Sequence, residues 1–94
     1  MMAISFSMRV VVPPETMINV IGGESVILNI KTERYFGLDE VGTDMWAALA
    51  KGESVQSAYE SLLSEYEVDA ELLRNDLMAL VEKLVAAGLI EVHE

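Results

Sequence analysis

The side chains of this chain that could do chemistry are mostly carboxylates, and they are densest between residues 65 and 71. Acids alternate with other residues there, at Glu65, Glu67, Asp69 and Glu71. Carboxylate oxygens are the ligands that Ca²⁺ prefers, but a calcium-binding loop also needs a glycine at its sharp turn and ligands at fixed positions. The run has neither feature, so we expect no metal site.

Nucleophilic and nucleotide chemistry have few candidate residues. The chain has no cysteine and one histidine, His93, next to its last residue. Nucleophilic catalysis needs a base held beside the nucleophile, and chain ends hold side chains poorly. The pair Gly22-Gly23 lacks the further glycines, the lysine and the hydroxyl of a phosphate-binding loop. We therefore expect no catalytic residue and no cofactor, and predict that the protein is not an enzyme.

The charge balance limits the classes of partner. The chain has 16 acidic and 6 basic residues, which gives a net charge of −10. Phosphate backbones are repelled by such a balance, so nucleic acid is not the expected ligand and a basic peptide or protein is favoured. The same acidity also keeps a small apolar domain soluble, whatever its partner.

Length and hydropathy predict one soluble domain over residues 1–94. A chain of 94 residues has no apolar area to spare for a second core. No apolar run, Val10–Val12 and Val26–Leu28 included, comes near the ~20 residues that a membrane span needs. Because the N-terminus lacks the pattern of a secretory signal and no cysteine is available for disulfides, we expect a cytoplasmic protein.

Strand patterns fill the first part of the chain. Gly22-Gly23 can adopt the positive φ angles of a tight turn, and the apolar run Met17–Ile21 and the alternating run Val26–Ile30 flank it. These features predict a hairpin. The aromatic segment Arg34–Leu38 follows a polar break and predicts a third antiparallel strand.

From Asp39 onwards the hydrophobic period changes from two to about 3.6, which predicts three helices. Polar residues that can cap the helix N-termini precede each one: Asp39 or Glu40, then Ser54, then Asp69. The apolar stripe of the third helix consists of Leu73, Leu77, Leu80 and Leu84. A three-stranded antiparallel sheet followed by three helices is an α+β fold of the winged helix-turn-helix type.

The open edge of the predicted sheet has a functional consequence. The third strand carries Tyr35 and Phe36 and no proline, and Gly37 permits close backbone approach. With the leucine stripe of the third helix alongside, an extended peptide would gain main-chain hydrogen bonds and side-chain pockets there. On this interpretation Phe36→Pro removes a donor from the edge. The alternatives are that residues 1–12 cover the edge, or that a second copy pairs with it in a homodimer.

Three short motifs occur in a distinctive order: Val26–Ile30 at the end of the hairpin, Arg34–Gly42 before a helix that contains Trp46, and Leu84–Ile90 near the C-terminus. In this order and spacing the chain, from about Thr16 to Val92, resembles the PqqD family. The resemblance implies a small winged-helix-like domain that binds the leader of a ribosomally made precursor peptide. The leader would be an added strand between the third strand and the third helix, presented to a modifying enzyme such as a leader peptidase or a radical SAM enzyme.

Carried over to this sequence, the resemblance also implies the residues that meet the leader. It places the leader beside Arg34, Tyr35, Phe36 and Gly37 on the strand and Leu73, Asp76, Leu77 and Leu80 on the helix. Asp76 and the surrounding acids would attract lysine or arginine. The run Leu38–Gly42 looks more like the stand-alone members, including those of lasso-peptide pathways, than those of the pyrroloquinoline quinone pathway.

The main alternative function is a winged-helix DNA-binding regulator. Three helices with a β-wing are the parts of such a protein, and its third helix would read the duplex. The charge of that helix is unsuitable, because its first two turns carry Glu71 and Asp76 against the single base Arg74. We therefore favour the non-catalytic leader-binding protein.

Overall fold

The computed structural model describes residues 4–94. In chain order its elements are β1 (Arg9–Val11), β2 (Thr16–Ile21), β3 (Glu24–Asn29), β4 (Arg34–Leu38), α1 (Glu40–Leu49), α2 (Val55–Glu65), α3 (Ala70–Ala86) and β5 (Glu91–His93). The predicted α+β fold, in which a three-stranded antiparallel sheet precedes three helices, is confirmed. The strand predicted as the third is β4.

The main sheet is the meander β2-β3-β4. Its first turn consists of Gly22 and Gly23, with φ angles of 61° and 90°. Positive φ at both central residues is the geometry of the tight hairpin turn that matches strand twist, and glycine adopts it without a steric penalty. The turn closes on the pair Ile21 and Glu24, and the register runs from there to Thr16 opposite Asn29.

The two ends of the described chain form a second, two-stranded sheet. β1 pairs antiparallel with β5, and Val10 lies opposite Val92. Just before β1, the carbonyls of Phe6 and Met8 accept hydrogen bonds from the first residues of α2, Gln56 and Val55. The N-terminal segment from residue 4 therefore lies against α2 and β5 and does not cover the edge of β4, while residues 1–3 lie outside the described part.

All three helices begin at caps that the sequence predicts. The side chains of Asp39, Ser54 and Asp69 accept hydrogen bonds from backbone N–H groups of α1, α2 and α3. Each cap satisfies donors that the first helical turn leaves without a partner. At the other end of α3, Gly88 has a φ of 74°, and the N–H of Leu89 returns to the carbonyl of Leu84 at 2.9 Å. This is a Schellman termination, and it turns the chain toward β5.

The core lies between the inner face of the main sheet and the helices. Its fully buried side chains are Ile27, Leu49, Leu62, Leu77, Leu84, Leu89, Ile90, Val10, Val55 and Val81. Asn29 is buried as well, and its amide joins the sheet to the end of α3 by donating to the carbonyl of Gly88 at 3.0 Å. Among residues 4–94, no helix has both the length and the apolar character needed to cross a membrane.

Candidate peptide-binding site

The alternation of hydrogen bonds in the sheet determines which backbone groups of β4 are free. The N–H of Ile30 donates to the carbonyl of Glu15 at 3.0 Å, and this pair continues the register of β2 with β3. Directly opposed residues of an antiparallel ladder alternate between hydrogen-bonded and non-bonded pairs. Even-numbered residues of β3 therefore bond to β2, and Ser25, Ile27 and Asn29 bond to β4.

The partners of these three residues on β4 are Leu38, Phe36 and Arg34. Their N–H and C=O groups consequently point to β3. Tyr35 and Gly37 point the other way, so their four backbone groups lie along the outer edge of β4. No strand of residues 4–94 pairs with that edge. The expectation that Phe36→Pro removes a donor from the open edge is therefore wrong, because proline at this position removes a bond to β3 instead.

An open groove of about 510 Å³ lies beside this edge. One wall is the second half of β4 with the start of α1, and the other is the middle of α3. The lining residues are Phe36, Gly37, Leu38, Asp39, Val41, Gly42, Met45, Asp76, Ala79, Leu80 and Lys83. Four of the residues implied by the family resemblance are brought together here: Phe36, Gly37, Asp76 and Leu80.

The other four implied residues lie elsewhere. Arg34 and Tyr35 are exposed at the start of β4, and the Tyr35 side chain lies on the outer face of the sheet, opposite Leu28. Leu77 is 0% exposed and belongs to the core beneath the groove. Leu73 is also buried, but it lines a second hollow that adjoins the groove.

The second hollow is smaller, at about 210 Å³, and mostly apolar. Val41, Met45 and Asp76 line both it and the groove, so the two form one continuous depression. Its remaining lining residues are Leu62, Tyr66, Val68, Leu72 and Leu73. Sequence reasoning missed the walls from α1, from the loop before α3 and from the first turn of α3. Val68 in that loop and Leu72 in that turn interrupt a polar stretch, and they are 45% and 57% exposed.

Acidic groups dominate this end of the molecule. Asp39 and Asp76 line the groove, with Lys83 as its one lysine or arginine. Next to the hollow, the hydroxyl of Tyr66 donates a hydrogen bond to Asp44 and so joins the end of α2 to α1. That hydrogen bond, together with burial and the charges of Asp44, Glu65 and Glu40, raises the pKa of Tyr66 to about 12. Within residues 4–94, no cluster of side chains is arranged to hold a metal ion.

Tyr66→Phe should remove this tether, at a cost in unfolding free energy of no more than about 1 kcal/mol, because Asp44 is exposed to solvent and Tyr66 is only partly buried. The pKa of Tyr66 is higher in the folded protein than its ordinary value of 10.0. The stabilisation is therefore fully present below pH 10 and is lost as the pH rises toward about 12. Ultraviolet titration of tyrosinate measures the pKa directly: the wild-type curve minus the Tyr66→Phe curve should show one group titrating near pH 12. A difference curve centred at pH 10 would contradict the tether.

A sheet edge that is open and faces a helix across an elongated depression defines a class of domain that can take an extended segment as an additional strand. The family model described as Coenzyme PQQ synthesis protein D (PqqD) matches residues 24–90. The chain belongs to the PqqD family, as its sequence motifs indicate. A search of curated proteins gave no match.

Two solved structures are similar to most of the chain. One is TbiB1 in complex with the TbiA(beta) leader peptide, with 30% identity, a TM-score of 0.77, and coverage of 86% of this chain and 94% of that one. The other is a lasso peptide synthetase B1 complexed with the leader peptide, with 26% identity, a TM-score of 0.73, and coverage of 87% and 96%.

Proposed function

We propose that this protein is a non-catalytic recognition domain that binds the leader of a ribosomally made precursor peptide and presents it to a modifying enzyme. The observation that carries the proposal is the open edge of β4 beside the groove. It is supported by the family of the chain and by the two similar structures, each of which holds a leader peptide.

In the proposed complex the leader is a fourth strand of the main sheet. It bonds to the free N–H and C=O groups of Tyr35 and Gly37, which gives four main-chain hydrogen bonds in an antiparallel register. Side chains on the inner face of that strand lie over Phe36 and Leu80 in the groove. The adjoining apolar hollow is suited to a large apolar side chain of the leader.

Charge would set the rate of the encounter. The groove carries Asp39 and Asp76, and the chain as a whole has a net charge of −10. A leader with lysine or arginine would be steered to this surface, and its binding would weaken as salt screens the attraction. Backbone pairing and apolar contacts, which salt screens little, would supply the remaining affinity.

The modifying enzyme would be one that acts on precursor peptides, such as a leader peptidase or a radical SAM enzyme. The similarity to lasso peptide B1 structures favours a lasso-type pathway. Because the precursor is made on the ribosome, we expect the encounter in the cytoplasm.

A DNA-binding role is not supported by the comparisons. The base that the sequence places early in α3, Arg74, packs its guanidinium carbon 4.1 Å from the centre of the Phe6 ring. This contact engages Arg74 within the domain. Asp69 caps α3, and Glu71 and Asp76 lie in its first two turns, where these acids would repel phosphates.

The proposal is tested by titrating the leader of the precursor encoded beside this gene, labelled with a fluorophore, and following polarisation at low and high salt. We expect saturable one-to-one binding that is weaker at high salt but not abolished. The core region of the same precursor is the control and should not bind. Folded protein that binds neither segment at low salt would contradict the proposal.

A further inference from the structure

The opposite edge of the main sheet, formed by β2, is also open. β2 has no charged residue, no proline and no glycine, and all its side chains after Thr16 are exposed: Met17 is 57%, Val20 55% and Ile21 73% accessible. Within residues 4–94 no strand pairs with its outer side. Edge strands of monomeric proteins ordinarily carry a charge, a proline or a bulge that blocks pairing with another chain. β2 has none of these protections, which indicates that its edge is an interaction surface.

The alternation of hydrogen-bonded and non-bonded pairs between β2 and β3 also determines which backbone groups on the outer edge of β2 are free. Because the Glu15 and Ile30 pair is hydrogen-bonded, odd-numbered residues of β2 bond to β3. Ile18 and Val20 therefore point their N–H and C=O groups outward. The outward N–H of Thr16 is already taken, because it donates to the carbonyl of Pro13 at 3.0 Å. The edge thus offers two free donors per chain.

We propose that two copies of this protein associate by pairing their β2 strands antiparallel, which joins the two main sheets into one of six strands. A two-fold axis perpendicular to the sheet pairs only residues that lie on the same face. In the register centred on Asn19, Ile18 lies opposite Val20 of the partner subunit, and all four free N–H groups of the two edges receive an acceptor. In this register no free N–H group of either β2 edge is left without a partner.

The side chains are compatible with this pairing. On the inner face Ile18 meets Val20 of the partner subunit, and on the outer face Met17 meets Ile21 of the partner subunit. Apolar cross-strand pairs of this kind are stabilising, and no like charges are placed opposite each other. The two Asn19 side chains meet at the axis, where carboxamides can bond to each other. The strand is therefore self-complementary, which favours a second copy over a different partner.

The dimer differs from one made through residues 34–38, because it leaves the groove and the edge of β4 free.

Its interface is small, well under the ~1,200 Å² of stable complexes, so we expect reversible association with a Kd above about 1 µM. The net charge of −10 on each chain opposes the encounter. Since salt screens this repulsion, association should strengthen with salt, the opposite of the binding of a basic leader.

The test is sedimentation of the full chain without any leader, from about 10 µM to about 1 mM, at about 0.05 M and 0.5 M salt. We expect a monomer–dimer equilibrium that shifts to dimer at the higher salt. Val20→Pro removes a donor from the edge, and Val20→Lys introduces a charge there. Each should weaken association at least tenfold. Val20→Lys lowers the net negative charge of the chain. Weaker association of this variant could therefore not come from stronger repulsion between the two negatively charged chains.

Gly37→Pro is the matched control, since it alters the opposite edge of the same sheet and should dimerise like the wild type. Amide exchange should show protection of Ile18 and Val20 that grows with concentration. A chain that stays monomeric at all these concentrations and salts would overturn the proposal. So would a dimer that the Val20 variants leave intact or that Gly37→Pro disrupts. None of these results depends on whether the protein binds a leader.

Discussion

Gly37→Pro should weaken leader binding by about 10- to 100-fold while leaving the domain folded. The N–H of Gly37 points to the open edge, so proline removes a donor that the sheet itself does not use. A leader carbonyl left without its partner costs about 1–3 kcal/mol, and each 1.4 kcal/mol is about tenfold in Kd. Space is available, because a Cβ atom at residue 37 would meet nothing within 4 Å, and its φ is not positive.

Two variants separate this effect from others. Gly37→Ala keeps the donor and should bind the leader like the wild type. Phe36→Pro alters the neighbouring residue but removes a hydrogen bond to β3. Its main effect should therefore be a lower melting temperature. The measurement is leader affinity by polarisation, with circular dichroism to show that each variant is folded. Gly37→Pro protein that is folded and binds with wild-type affinity would show that the leader does not pair with β4.

Leu77 and Leu80 lie one helical turn apart on α3. Replacing Leu77 with alanine should mainly lower stability, whereas replacing Leu80 should mainly lower leader affinity. Leu77 is 0% exposed, and its truncation leaves a cavity in the core. We expect Leu77→Ala to lower the unfolding free energy by about 2–5 kcal/mol. Leu80 is only partly buried and lines the groove. We expect Leu80→Ala to cost under about 1.5 kcal/mol of stability but to weaken leader binding by up to about tenfold, since the leader loses an apolar contact.

Denaturant unfolding and leader titration of both variants at a temperature where both are folded measure this contrast. The exposed Ala79→Ser on the same helix is a control for small changes in helix propensity and should resemble the wild type in stability. The assignment of Leu77 to the core and Leu80 to the groove would be contradicted if the two variants had the same unfolding free energy and lost the same amount of leader affinity.

Local chemistry explains which parts of the fold the sequence could predict. Asp39, Ser54 and Asp69 are recognisable because a cap bonds to a residue two or three positions away. Gly22-Gly23 is recognisable because few other residues adopt its φ angles. The pairing of β1 with β5 joins residues more than 75 positions apart, and three-residue strands have no local pattern that names their partner.

The site was less accessible to sequence reasoning for a related reason. The leucines of α3 form one stripe in sequence, but the docking of the helix on the sheet decides which of them face inward. Val81, not Leu80, continues the buried row after Leu77. Likewise, the prediction that Phe36→Pro removes a donor from the open edge was wrong because of strand register. The direction in which an N–H group of β4 points depends on how β2 pairs with β3 and how β3 pairs with β4, and therefore on both connecting turns. The second of these turns contains Glu33 with a φ of 62°, which is unusual for a residue other than glycine.

Amide hydrogen exchange with and without the leader tests the central claim most directly, because it reports on single backbone donors. The N–H groups of Tyr35 and Gly37 should exchange rapidly in the free protein and become protected when the leader binds. The N–H of Phe36 should be protected in both states, since it already bonds to β3. Saturable leader binding that leaves Tyr35 and Gly37 exchanging as in the free protein would contradict strand addition at β4.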